Sequence, residues 1–108
     1  MYLYNITFVL APDAGERFLD WLRSSAMPAI MNTAYSAANP RLQTVVEAGG
    51  EKPGPEHGLS MALHVEFETE EKAHVWHDAV LPGVLGDFNR NFGPHAAFFI
   101  TLLKKLPL

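Results

Sequence analysis

The stretch Tyr2–Leu10 (YLYNITFVL) constrains the chain more than any other. It sets Tyr2, Tyr4, Ile6, Phe8 and Leu10 against Leu3, Asn5, Thr7 and Val9. A period of two in aromatic and β-branched residues predicts a strand. The first set is wholly large and apolar, as a face covered by helices requires. The second is mixed. A strand apolar on one face and half-apolar on the other belongs in the middle of a sheet whose second face is also covered. Only two helical segments follow, enough for one face, so what covers the other becomes the functional question.

At 108 residues and 12.0 kDa the chain is expected to form a single domain, residues 1–108. That length buries roughly 60–70 % of the surface of the unfolded chain. Hydrophobic residues are 48 % and charged residues 19 %, values of an ordinary globular chain. The net charge is −4 and the only adjacent basic pair is Lys104-Lys105, which argues against a surface that tracks nucleic-acid phosphates. The absence of cysteine removes disulfides, thiolate metal sites and thiol catalysis. With no signal-like start and no run near 18 apolar residues, neither secretion nor a membrane is expected, and a cytoplasmic location is the default.

After Leu10, Asp13 and Glu16 have capping-box spacing for a helix whose apolar stripe is Phe18, Leu19, Trp21, Leu22 and Ala26. Trp21 reads as core rather than as a ligand platform. Pro28 interrupts this helix and can open a second short piece over Pro28–Asn32. Arg41–Ala48 alternates as a second, more polar strand suited to a sheet edge. Gly49–Gly58 carries four glycines and two prolines and reads as a mobile loop, in which His57 has no assigned role. Leu59–Thr69 is the cleanest alternation, with Leu59, Met61, Leu63, Val65 and Phe67 opposite Ser60, Ala62, His64, Glu66 and Glu68. Thr69 is the candidate cap of a second helix, with Glu70 and Glu71 in its first turn. Ala73, Trp76, Val80, Val84 and Phe88 form the buried stripe of that helix, Pro82-Gly83 breaks or kinks it, and Gly93-Pro94 stops it. His95–Leu103 is a fourth strand, apolar on both faces and so expected to be covered on both.

The order β-α-β-β-α-β predicts an α+β, ferredoxin-like fold: a four-stranded sheet with two helices on one face. Strands one and three are expected to be central and parallel, and strands two and four to lie at the edges. Leu3, Val9, Ala62 and one register of the fourth strand would then face water. Burying one such side chain yields roughly 1.5–3 kcal/mol, whereas association costs on the order of 4–15 kcal/mol. Only a whole sheet face covers that cost, so the expected partner is a second copy in a two-fold homodimer.

In that strand order, Tyr4-Asn5-Ile6-Thr7, Trp21 with Met27-Pro28, Leu81-Pro82, and Phe92-Gly93 leading to Phe99-Ile100-Thr101-Leu102-Leu103 resemble the small bacterial proteins of domain of unknown function family 4286. The resemblance spans nearly the whole chain and implies the dimeric α/β-barrel branch of ferredoxin-like proteins. It also implies a His before the residue matching Met27, a His two before Pro82 and an Arg at Ile100. Here Ala26, Val80 and Ile100 stand at those positions, so if those groups form the family's site, this chain has lost much of it. The Asn5 and Thr7 positions match.

Candidate chemistry lies on the mixed sheet face, where Asn5 and Thr7, His64 and Glu66, and Gln43 on the second strand would converge in a cavity between sheet and partner. His64 could act as a base near neutral pH and Asn5 as a donor to an oxyanion-like atom. The plainer reading is a satisfied polar network across a dimer interface. A second group, His74, His77 and Asp78, has helical spacing that puts three metal-binding types on one face, but no further ligand is marked, and the favoured reading is a solvated helix face opposite Trp76 and Val80, with no metal. Serine-nucleophile motifs and phosphate-cradling glycine loops are absent, and no cofactor is implied. The expected function is a homodimeric small-ligand-binding or interaction module. The alternative is a cofactor-independent enzyme, monooxygenase- or isomerase-like, acting on a small aromatic or carbonyl compound.

Overall fold

The computed structural model describes residues 1–46 and 58–108. Strand β1 (Tyr2–Leu10) carries Tyr4, Ile6, Phe8 and Leu10 into the core, and β3 (Leu59–Phe67) does the same with Met61, Leu63, Val65 and Phe67. Both alternations in the sequence are therefore alternations of burial. Edge strand β2 (Ala38–Thr44) is exposed along its whole length. Strand β4 (Ala97–Lys104) pairs with the other side of β1, giving the sheet order β2-β3-β1-β4.

The two central strands are antiparallel, not parallel, with Tyr2 opposite Phe67 and Leu10 opposite Leu59. Connection through helices returns β2 in the direction of β1 and leaves a one-strand gap. β3 then folds back into that gap and runs against both neighbours, which share one direction. β2 also starts earlier than Arg41: it includes Asn39, whose φ is +50°, and Pro40, with a register shift between Ala38 and Arg41. An edge strand tolerates such a bulge and a proline because it has one unpaired side. Val45 still donates to the Ser60 carbonyl at 2.9 Å, while Glu47, Ala48, His57 and the glycine-rich segment before Gly58 lie outside the described residues.

The first helix begins at Gly15, not at an Asp13 cap. A turn in which Ala14 N–H donates to the Ala11 carbonyl at 3.0 Å leads into α1 (Gly15–Trp21), and Ala14 caps it without a side-chain bond. A π-helical turn over Leu22–Ala26 follows, then α2 (Met27–Ile30), with Pro28 in the first turn where its missing N–H costs nothing. Leu19 is only half-buried, so the inward stripe is Phe18, Trp21, Leu22, Ala26 and Ile30. A 3-10 turn over Thr33–Tyr35 leads to β2.

Thr69 caps α3 (Glu70–Ala79), its hydroxyl accepting from Lys72 N–H at 3.2 Å. Val80 separates α3 from α4 (Leu81–Phe92), which opens on Pro82 and buries Leu81, Val84, Phe88 and Phe92. The break therefore falls just before the proline. Phe8, Phe18, Trp21, Phe88 and Phe92 pack together at the centre, Phe8 lying 5.0 Å from Phe18 and 4.8 Å from Phe88 between ring centroids. Trp76, fully buried, donates its indole N–H to the Ile30 carbonyl at 3.0 Å, which fixes α3 against the end of α2.

All of this packing lies on one face of the sheet. The opposite face carries Leu3, Asn5, Thr7 and Val9 beside Ser60, Ala62, His64 and Glu66, and the register adds Ala97, Phe99, Thr101 and Leu103 from β4. β4 is not covered on both faces as its composition suggests. Phe99 is 62 % exposed and Leu103 46 % on the open side, while Ile100 is 39 % exposed on the helix side because β4 is an edge that the helical layer only partly overlaps.

Candidate functional site

The open face is organised by its register. Asn5 stands opposite His64 on one side and Thr101 on the other, and His64 stands opposite Arg41. Arg41, His64, Asn5 and Thr101 thus form one polar row across all four strands. The rows on either side are mostly apolar or neutral: Gln43, Ala62, Thr7 and Phe99 on one, and Ala38, Glu66, Leu3 and Leu103 on the other. Directly opposite side chains in an antiparallel pair lie within contact range, so each row is a continuous strip.

Within this frame Asn5 donates from Nδ2 to Thr7 Oγ1 at 3.1 Å. Its Oδ1 is buried and has no hydrogen-bond partner among the described residues. Leaving a buried acceptor unmatched costs about 1–3 kcal/mol, so the atom is either a standing cost or a contact awaiting a donor. Glu66 is in the opposite condition. Lys105 Nζ donates to its Oε1 and Asn39 Nδ2 to its Oε2, each at 2.7 Å. These bonds, that of Lys105 first, hold its carboxyl below the usual carboxylate range, with Arg41 adding to the effect. Glu66 is an anchored ion that ties the C-terminal tail and β2 to β3.

The four expected residues therefore share one face but not one cluster. Asn5, Thr7 and His64 are neighbours, Gln43 lies beside Ala62 on the same face, and Glu66 is engaged at its edge. Arg41, Thr101 and Phe99 belong to the face and were not singled out by sequence reasoning. Counting back in twos from Gln43 places Arg41 there, whereas the apolar β4 sequence gives no sign of which register faces outward.

The helical group divides. His74 Nε2 lies 3.4 Å from Glu70 Oε1, and His77 turns inward, where its Nδ1 meets the Tyr4 hydroxyl. Burial first, and the Asp78 charge second, push the Tyr4 phenol above its ordinary pKa. Among the described residues no three His, Cys, Asp or Glu side chains stand together as metal ligands. On the same layer Trp21 donates to Asp87 Oδ2 at 2.7 Å and Arg90 to Oδ1 at 3.0 Å, which lowers the Asp87 pKa. A separate hollow of about 340 Å³ lies between the 3-10 turn and the start of α3, lined by Tyr35, Ser36, Thr69, Glu71, Lys72 and Val75 among others.

Residues 1–106 match the family described as Domain of unknown function (DUF4286). The chain belongs to the DUF4286 family. Of the three positions at which the resemblance implied a His or an Arg, Ala26 and Val80 are buried in the core, and Ile100 faces the helix side opposite Ile6. None of the three points onto the open sheet face. No curated protein matches this DUF4286 chain.

Among solved structures, a dimeric ferredoxin-like protein from an uncultured marine organism superposes with a TM-score of 0.70 at 10 % identity, over 100 % of this chain and 97 % of the other. An ethyl tert-butyl ether d (EthD) family protein from Bacillus halodurans gives 0.66 at 9 % identity, over 98 % and 100 %. A de novo designed protein, Foldit4, gives 0.62 at 8 % identity, over 97 % and 98 %. At such identities the likeness establishes the ferredoxin-like fold of this DUF4286 chain. That a designed sequence shares it shows how little the fold says about activity. Among the described residues no helix is long and apolar enough to cross a membrane.

Proposed function

We propose that this chain pairs with a second copy through its open sheet face, in the manner of a dimeric α/β barrel, and holds a small molecule between the two sheets. The observation that carries the reading is the Asn5 Oδ1 atom, buried and unmatched among the described residues at the centre of a polar row, on a partly apolar face that none of the described helices covers. Phe99 and Leu103 beside that row are large and exposed, and they gain most from being covered.

The size of the face supports the same reading. Four strands about 4.8 Å apart, each about eight residues long at about 3.3 Å per residue, present roughly 500 Å² per copy. Two copies together then bury about 1,000 Å², the lower bound of a specific interface. A margin that narrow suits a pair of sheets that leaves room for a ligand. A fold neighbour described as dimeric adds support for the assembly.

Sedimentation velocity and native mass spectrometry of the untagged protein test the proposal. A dimer is expected, with added mass released on denaturation when ligand is retained, and Phe99→Glu is expected to yield a folded monomer. A wild-type monomer across the micromolar range overturns the reading.

A second reading, a cofactor-independent enzyme on a small aromatic or carbonyl compound, is favoured by the direct opposition of His64 and Asn5. There His64 would take a proton while Asn5 binds the reacting compound. It requires turnover that His64→Gln abolishes without dissociating the dimer.

A further inference from the structure

The charges and the unmatched atom of the polar row limit what the proposed pocket can take. Glu66 has both oxygens occupied, by Lys105 and Asn39, so its charge is already met. Arg41, opposite His64, is the permanent charge within the row itself, and its guanidinium cannot lose its proton. A cationic ligand is repelled there and an anionic one is drawn in. Asn5 has its Nδ2 committed to Thr7, while Oδ1 needs a donor. A simple carboxylate or an ionised phosphate supplies no such donor at one end; a hydroxyl does.

Arg41 and Asn5 are two strands apart, about 10 Å between backbones. An arginine side chain and a molecule of one ring's length together close that span. Between them on β3, His64 stands opposite both Arg41 and Asn5, so a ring that spans the two lies over its imidazole. Planar rings stack well on such a side chain.

Building on the pocket proposed above, we infer that the ligand is a small planar hydroxy acid, with its carboxylate on Arg41, its hydroxyl donating to Asn5 Oδ1 and its ring over His64 on the strand between them. Arg41 sets specificity for the anion and Asn5 for the hydroxyl, so the two ends are read by different strands. Each contact involves a charged group or relieves a buried unmatched one, the two cases in which a hydrogen bond contributes most.

Isothermal titration of the full chain with 4-hydroxybenzoate, benzoate and phenol tests this. 4-Hydroxybenzoate is expected to bind most tightly, with loss of either end weakening binding about tenfold or more. Arg41→Gln, on an exposed edge strand, is expected to weaken 4-hydroxybenzoate but not phenol, and Asn5→Ala to weaken 4-hydroxybenzoate but not benzoate. Equal affinity for 4-hydroxybenzoate and benzoate, or an Arg41→Gln protein that binds the acid as well as wild type, overturns the assignment. Sedimentation of the same samples separates two failures. A dimer indifferent to all three probes removes the hydroxy acid and leaves the paired-sheet pocket standing, whereas an indifferent monomer removes both.

Discussion

Trp21 donates its indole N–H to Asp87 Oδ2 at 2.7 Å, joining the end of α1 to α4. The two residues are 66 positions apart, and the bond makes the aromatic cluster of the core continuous with an ionised surface carboxylate. Because the Trp21 bond, then that of Arg90, lowers the Asp87 pKa in the folded state, the contribution to stability is full above the unfolded carboxylate pKa. It is lost as the pH falls through the depressed folded value. Thermal melts from pH 7 down to pH 2 are expected to show wild type above Asp87→Asn at neutral pH, with the difference closing in the acid range. A constant gap at every pH removes the ionic part of the argument.

Tyr4 gives the opposite sign. Its phenol is held above the ordinary tyrosine value by burial and by Asp78, so the folded state disfavours its ionisation. The contribution is complete below the unfolded pKa of about 10 and is lost as the pH rises through the folded value. Tyr4→Phe also removes the contact with His77 and is expected to cost about 1 kcal/mol at neutral pH. Urea unfolding at pH 8 and pH 11 checks both parts: the wild type should lose stability between the two, and the variant should lose less.

Gly58 enters β3 with φ of +72°, and a Cβ built there would stand 2.7 Å from the Leu10 carbonyl oxygen. Gly58→Ala therefore meets both a left-handed backbone and a backbone atom that cannot move aside without disturbing the β1–β3 pairing. A loss of about 1–3 kcal/mol is expected from the strain alone. Chemical denaturation measures it, and a neutral substitution would mean that the start of β3 can slide.

The sequence was most legible where one period controlled one surface. Tyr4, Ile6, Phe8 and Leu10 alternate without exception, as do Met61, Leu63, Val65 and Phe67, so strands, inward faces and the uncovered face could be read from residue types alone. Thr69 was equally plain, because a cap is a local hydrogen bond. β1 and β3 are antiparallel where the sequence reading expects them parallel, because relative direction follows from how the chain crosses between strands, which no alternation encodes. Asp13 had the right residue type at the right spacing but lost to a turn at Ala11–Ala14. At the candidate site, Asn5, Thr7 and His64 were placed by alternation. Arg41 follows from Gln43 by the same alternation, Thr101 and Phe99 become visible only through register, and the partners of Glu66, Asn39 and Lys105, come from a bulge and a tail that carry no periodic signal.

The unmatched Asn5 oxygen makes stability and binding separable. If Asn5 serves only the fold, its removal should cost stability, since Thr7 loses a partner and the sheet loses packing. If it is kept for a ligand, the empty protein carries the cost of a buried acceptor without a donor, about 1–3 kcal/mol. Asn5→Leu replaces the amide with an apolar side chain of similar size, in a row flanked by Leu3 and by Phe99 on the neighbouring strand. The variant is expected to melt at or above the wild-type temperature without ligand, and to lose the stabilisation that 4-hydroxybenzoate gives the wild type by mass action. Such an exchange of stability for binding is the behaviour of a site residue rather than a core one. Melting curves of both proteins, with and without the acid, decide it: an Asn5→Leu protein that melts well below wild type in the absence of ligand would make Asn5 structural.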